Sequence, residues 1–424
     1  MKKIELKGLD EVILHDVCDN GLNIYMYVNK KVKNFYATLN IRYGAIDTEF
    51  SVNKKKYKVP SGIAHFLEHL KFNQPNGITA HEYYSKLGSS INAFTSYDIT
   101  AYEVIAANNF NENIEYLLDY VQTPYFTKDA LKKEKGIIIE EIKMYDDNPG
   151  FNLYDTMKRS LLHKDNRRFK LSGTIEDVKK TTVEDINLIF DTFYHPMNMF
   201  IVITGNFNPE ETVALIKENQ SRKKFGKYKN PIKIYEKEPI KVVNEYTEIF
   251  HNVESPKVKI SFKMAKSNFK NISDLNLRLY LNLFMKITFG ETSHLKEELL
   301  SNSLINGGII TNAKVRKSYV ILSILTETNY PNEIINRFKD AMNNIKITTN
   351  DLERKKRAAI ASTVLNYDDI EAVNYDLEND LITYNEVITD IIDRLKALNI
   401  KDAEKLISNI KLNNYSVVVL YPKK

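Results

Sequence analysis

Two kinds of periodicity trade places along this chain, and the order in which they do so recurs. Over the first ~60 residues apolar and polar side chains alternate (LNIYMYV, FYATLNIRYGAID), with turns at DNG and NKK, which is the pattern of antiparallel strands. From Ser61 the apolar spacing becomes helical through HFLEHLKF, a second helix follows at HEYYSKLG, and alternation returns in SINAFTSYDITAYEVIA. Further helices are expected at 111–122, 128–146, 150–162 and 182–193, and MFIVITG reads as a strand that closes this half. Beyond residue 241 the blocks return: VKISFKM as strand, SDLNLRLYLNLFMKITFG as helix, SYVILSILTE as strand, then long helices and the terminal strand YSVVVLY. The clearest internal echo sets VEDINLIFDTFYHPMNMFIVITG beside IKDAEKLISNIKLNNYSVVVLY, each an amphipathic helix, a short polar turn and a buried strand. The expectation is an α+β protein of two similar halves. Residues 1–218 form the first domain and 242–424 the second, while 219–241, basic and carrying Pro231 and Pro239, forms a linker. A single merged domain is the alternative.

Composition narrows the function. A chain of 424 residues is longer than one hydrophobic core usually organises, and 43% hydrophobic with 27% charged residues excludes a disordered or fibrous protein. The formal charge of +5, from 60 Lys+Arg against 55 Asp+Glu, is too small over this length to imply a nucleic-acid partner. Cys18 is the single cysteine, so an internal disulfide and a thiolate-rich zinc site are both excluded, and any metal must be held by His and carboxylate. The opening MKKIELKGLDEVILHDV carries charges every few positions where a signal peptide needs an apolar stretch, and no apolar run approaches the ~20 residues of a membrane span. A cytoplasmic location is expected.

In HFLEH, His65 and His69 are four residues apart, a helical spacing that stacks both imidazoles on one face within reach of a single ion. Glu68 falls between them in angle, outside the ligand set and facing the ion's open position, where a general base belongs. The same pentapeptide also arises by chance as a packed or solvated His pair. Catalytic zinc usually takes three protein ligands, and LKKEKGIIIEEIKMYDD offers the third. On a helix, Glu134 and Glu141 lie almost two turns apart and share a face with Ile137, Ile138 and Tyr145, expected to be the buried one. An ionised carboxylate on such a stripe calls for a cation, which makes Glu141 the candidate ligand and Glu134 the acceptor that orients a ligating His through its other ring nitrogen. An ordinary acidic helix with Lys132, Lys133 and Lys135 as exposed partners is the competing reading.

At this point the chain resembles the pitrilysin family of inverted-motif zinc peptidases. The likeness covers GIAHFLEHLKFN, SINAFTSYDITAYEV, EKGIIIEEIKMYDDNP with its last zinc-triad Glu about seventy residues after HFLEH, and GTIEDVKKTTVEDINLIFDTFYHPMNMFIVITGNF. It is similar to the short bacterial type, which implies two homologous halves, each a mostly antiparallel sheet covered by helices, together half of a clamshell. The resemblance implies a zinc endopeptidase, one Zn2+ per chain, acting on extended peptide. It also implies that the SINAFTSYDITAYEV strand is the sheet edge to which substrate adds, with Asn92, Ala93, Phe94 and Thr95 near the scissile bond; from pattern alone an internal strand fits as well.

Family members that are active carry an Arg and a Tyr in the second half, in a stretch like LREELGYxY. The corresponding HLKEELLSNSLINGG has Lys296 at the Arg position and Ser303 at the Tyr position, and neither residue substitutes for the planar fork or the phenol. A homologous second subunit supplying both, in a heterodimer rather than a homodimer, is therefore expected. His294 with Glu297 echoes the metal motif but meets Glu298 where a second His is needed, and HLKEE reads as an exposed helix start. His15, His81, His163, His195 and His251 are isolated and read as structural or solvated. Two readings compete with a peptide-clearing enzyme: a leader peptidase for a ribosomally made, modified peptide, and a non-catalytic peptide-binding or assembly subunit.

Overall fold

The first part of the chain forms β1 (Lys2–Leu6), β2 (Glu11–Val17), β3 (Asn23–Val28), β4 (Phe35–Ile41), β5 (Glu49–Val52), β6 (Lys55–Lys58), β7 (Ser90–Thr95), β8 (Thr100–Ala106) and β9 (Met199–Gly205), and the expected linker adds β10 (Ile232–Lys233). They are taken from a computed structural model that describes residues 1–75 and 77–423. Seven of them form one sheet in the order β1-β2-β3-β9-β4-β8-β7, antiparallel throughout except where β3 runs parallel to β9. SINAFTSYDITAYEVIA is thus a hairpin, β7 turning into β8 at Ser96–Ile99, and β7 is the last strand of its sheet.

Four helices lie along the chain between β6 and residue 146: α1 (Ile63–Lys71), α2 (Ala80–Leu87), α3 (Phe110–Gln122) and α4 (Lys128–Asp146). The helices expected at 111–122, 128–146, 150–162 and 182–193 are found at Phe110–Gln122, Lys128–Asp146, Pro149–Leu161 and Val183–Phe193. One face of α1 carries Ile63, Phe66, Leu67 and Leu70 into the core shared with Ile24, Leu39 and Tyr102 of the sheet. α1 begins at Gly62, whose φ of 78° is left-handed and where a Cβ would sit 2.1 Å from the carbonyl oxygen of Ser172. Only glycine fits there, so the first turn of α1 is set tightly against the 172–173 backbone.

Compact units gather separated stretches of chain. One comprises Met1–Lys143, Lys170–Tyr235 and Thr363–Ile391; the other comprises Met144–Phe169, Glu236–Ser362 and the chain from Ile392 onward. This differs from the contiguous division at 1–218 and 242–424. β9 is buried along its whole length, as its unbroken apolar run requires. On one side it meets the core described above, and on the other Phe200 and Val202 pack against Val373, Leu377 and Leu381 of the helix Ile370–Thr383. Asn374 pins that helix in place, donating to the Val202 carbonyl at 3.2 Å and accepting from Thr38 Oγ1 at 2.9 Å. A sheet apolar on both faces needs two helical layers, and periodicity does not reveal which sheet a helix will cover.

The expected linker is likewise more ordered than its composition implied. Asn219–Ser221 end the helix Pro209–Ser221, and β10 pairs with β5. Lys233 Nζ and Tyr235 OH reach the buried carboxylate of Asp47 at 2.7 and 2.6 Å.

The second unit holds β11 (Tyr246–His251), β12 (Lys257–Ala265), β13 (Ile310–Val315), β14 (Tyr319–Glu327) and β15 (Tyr415–Pro422) in the order β11-β15-β12-β14-β13. The pair β11/β15 is parallel and the rest are antiparallel. Strand for strand this repeats β3-β9-β4-β8-β7, including the one parallel pair, so the internal echo in the sequence marks equivalent strands, β9 and β15. Here the covering helix is Pro149–Leu161, whose Leu153, Met157 and Leu161 pack with Val418 and Leu420. Inside this unit the Lys263 ammonium lies 2.6 Å from Glu238, which also accepts from the backbone amides of His163, Lys164 and Asp165.

Candidate metal centre

α1 presents His65 and His69 one turn apart, their ring centroids 4.6 Å from each other, and α4 brings Glu141 to both. His65 Nε2 lies 3.6 Å from Glu141 Oε1, and His69 Nε2 lies 3.4 Å from Glu141 Oε2. One ligand atom from each of the three residues falls within 4.8 Å of the others, and this is the one such cluster of His and acidic groups among the described residues. Zinc bonds of about 2.0–2.2 Å in a tetrahedral array place neighbouring ligand atoms roughly 3.3–3.6 Å apart, so the two His–Glu separations fit that ion. Two imidazoles and one carboxylate would supply three ligands to such an ion, the number found in catalytic zinc sites.

α4 places its acids somewhat differently from the sequence expectation. Leu131, Glu134, Ile138 and Ile142 are its buried residues, Glu141 is half-buried, and Ile137, expected on the buried face, is exposed. The buried stripe is centred one position round the helix, and Glu141 sits at its margin, where a carboxylate can both meet the imidazoles and be reached from solvent. Glu140 points outward, paired with Lys143.

Behind the imidazoles, His69 Nδ1 contacts Glu134 Oε2 at 3.4 Å, and Asn73 Nδ2 donates to the other oxygen of Glu134 at 3.3 Å. Asn73 stands two residues beyond α1 in the HFLEHLKFN segment and was not assigned from sequence; nothing in periodicity marks a residue past the helix end. His65 Nδ1 is buried with no hydrogen-bond partner among the described residues, whereas His69 is held from its far side by Glu134. Burial opposes charge on His69, yet the carboxylates of Glu134 and Glu141 outweigh it and raise its pKa to about 9.

Glu68 is 6% exposed and faces the sheet side of the same helix. Burial pushes its pKa up, while His65 and a hydrogen bond from Thr95 pull it back toward the ionised form. That hydrogen bond runs from Thr95 Oγ1 to Glu68 Oε2 at 2.6 Å. Of the four residues expected near the scissile bond, Ala93 packs against the core beneath α1 and Thr95 touches Glu68, whereas strand alternation turns Asn92 and Phe94 to the opposite face of the sheet. All four lie on the edge strand.

In the second unit, HLKEE does start a helix, His294–Ser301, with His294, Glu297 and Glu298 exposed as expected, while Lys296 is largely buried with its ammonium paired to Glu291. Ser303 follows that helix with φ 55°. Of the isolated histidines, His15 contacts Asn23, His81 stacks on Phe72 and His195 meets the Gly226 carbonyl.

Residues 54–176 match the family described as "Insulinase (Peptidase family M16)", and residues 180–359 match "Peptidase M16 inactive domain". A Bacillus subtilis protein described as an uncharacterized zinc protease, YmfH, is 31% identical over 434 residues, covering 100% of both chains. A second from the same organism with the same description, YmxG, is 23% identical over 96% of this chain and 97% of its own. A solved M16-like peptidase from Alicyclobacillus acidocaldarius has 25% identity and a TM-score of 0.90, over 97% of this chain and 98% of that one. With a full-length relative at this identity and a fold that agrees over nearly the whole chain, the protein belongs to peptidase family M16.

Proposed function

We propose that this chain is a zinc-dependent endopeptidase for extended peptides, with His65, His69 and Glu141 as the metal ligands and Glu68 as general base. The observation that carries the reading is the meeting of two imidazoles from α1 with a carboxylate about seventy residues later, beside a buried acid that is not among the ligands. Zinc, when bound, supplies a Lewis acid that polarises the scissile carbonyl and lowers the pKa of water toward neutrality. Glu68 takes the proton from the attacking water and delivers it to the leaving amine. Glu134, itself held by Asn73, keeps the His69 ring in its ligating orientation. β7, the last strand of its sheet, offers backbone hydrogen bonds to a peptide that adds as a further antiparallel strand, a mode that selects unfolded chain over folded protein.

Catalysis in this proposal uses a homologous partner subunit. Lys296 and Ser303 stand where an Arg and a Tyr would assist at the carbonyl, and the stretch matched as inactive, 180–359, contains none of the three ligands. The alternative, a non-catalytic subunit of such a pair, gains weight from the same departure and loses it from the intact ligand set. Removal of a leader from a modified peptide and general clearance of small peptides use the same chemistry, and a neighbouring gene for a second homologous subunit would favour the former. A reducing cytoplasmic setting fits the single buried Cys18.

The test is to co-purify the chain with any homologous subunit, measure zinc stoichiometry, and offer a quenched peptide library with and without chelator. Glu68→Gln is expected to keep about one zinc and lose turnover, and His65→Ala to lose both. Substantial turnover by Glu68→Gln refutes the base assignment, and absence of zinc from the intact chain refutes the site.

A further inference from the structure

We propose that Thr95 is the positioning residue for Glu68, tying the strand that receives the peptide to the group that moves the proton. The inference rests on the peptidase reading above. Glu68 ends a flexible side chain with three rotatable bonds, and it is buried beside the imidazoles of His65 and His69 on its own helix. With no donor to hold it, the carboxylate is free to turn toward the ligands it has to stay clear of. Thr95 prevents this from the sheet side. Its hydroxyl donates to Oε2 at 2.6 Å, the short distance of a hydrogen bond to a charged acceptor, and leaves Oε1 for the proton. The donor is rigid, because a β-branched threonine 7% exposed on a strand has little freedom at χ1.

A threonine that serves packing alone would satisfy its hydroxyl on a backbone carbonyl. Its direct cross-strand partner, Thr100, does so, donating to the Tyr43 carbonyl at 3.0 Å. Thr95 spends its donor on the carboxylate instead. It is also the last residue of β7, and the register of β7 against β8 fixes it, from Ser90 opposite Ile105 to Thr95 opposite Thr100. A peptide strand added to the free side of β7 takes its own register from the same backbone. Scissile carbonyl and carboxylate are then both referenced to one rigid strand, which removes the relative motion that makes a proton transfer slow.

The test compares wild type, Thr95→Val and Thr95→Ser in the full chain with its co-purified subunit. Valine keeps the shape and removes the donor; serine restores the donor. Thr95→Val should lower kcat by about 10- to 100-fold with KM and zinc content unchanged, and Thr95→Ser should recover to within a few fold. A crystal structure of each variant supplies a reading independent of turnover, in which the Glu68 carboxylate leaves its place in Thr95→Val and keeps it in Thr95→Ser. The proposal is overturned if the carboxylate stays put in Thr95→Val, if the loss falls on KM, or if serine fails to rescue. Should Thr95→Val not fold, Thr95→Ala carries the same comparison. If wild type shows no chelator-sensitive turnover, the peptidase reading fails by itself, and the crystal structures alone decide the role of Thr95.

Discussion

At the scale of single residues, the HxxEH spacing singled out three of the four residues that meet at the candidate site, and the pair of acids on one helix singled out the fourth, Glu141, although it sits at the margin of the buried stripe and not on it. His65, His69 and Glu68 share one helix and Glu141 shares a helical pair with Glu134, so spacing alone singled them out. Asn73 carries no such spacing, and Thr95, expected only as part of the strand near the scissile bond, gave no sign of its contact with Glu68, which runs from β7 to α1. Two predictions belong here. Without metal, His69 is protonated at neutral pH, its pKa raised to about 9 by Glu134 and Glu141 against the opposing effect of burial. Zinc has to displace that proton, so titration calorimetry at pH 7 in buffers of different ionisation enthalpy should show close to one proton released per zinc bound. The sign for the metal-free fold follows: the stabilisation from charged His69 is present below about pH 6.5 and fades as pH rises through about 9. Secondly, Glu134→Gln replaces the acceptor behind His69 with a neutral amide. Zinc affinity, measured by competition with a chelating dye, should fall about 10- to 100-fold while the fold persists.

Among elements, existence and type were legible almost throughout, and the errors lie in which side faces where. The helix expected at 128–146 is found at those bounds, but Ile137 is exposed because the buried stripe is centred on Leu131, Glu134, Ile138 and Ile142. An isoleucine at the edge of a helical face reads as core in any periodicity count, and only the neighbour decides. SINAFTSYDITAYEVIA showed alternation clearly, yet the turn inside it rests on Ser96, whose hydroxyl accepts from the backbone amides of Asp98 and Ile99, a polar signal easily passed over between two good strands. The start of α1 supplies the prediction at this scale. At Gly62 a side chain meets both a left-handed φ and the Ser172 carbonyl, so Gly62→Ala should lower the melting temperature by several degrees. Because the same turn aims His65, zinc retention should weaken with it. A variant with unchanged melting and unchanged zinc content would show that the 172–173 backbone yields at no cost.

For the whole molecule, the repeat was legible and the partition was not. Both sheets share one strand order, which the paired helix–turn–strand segments foretold, but the helix that completes each sheet comes from the other half of the sequence. A chain ending at residue 241 lacks Val373, Leu377 and Leu381 and leaves Phe200 and Val202 bare. Expressed alone it should aggregate or run as an expanded species in gel filtration, and co-expression with 242–424 should restore a compact product; a well-folded 1–241 monomer would contradict this. During synthesis the same arrangement has a cost in time. The first sheet emerges from the ribosome more than 150 residues before the helix Ile370–Thr383 that seals it. At about 5–20 residues per second that is an interval of roughly 8–30 seconds, in which a nascent apolar surface must wait for its cover or be shielded by a chaperone.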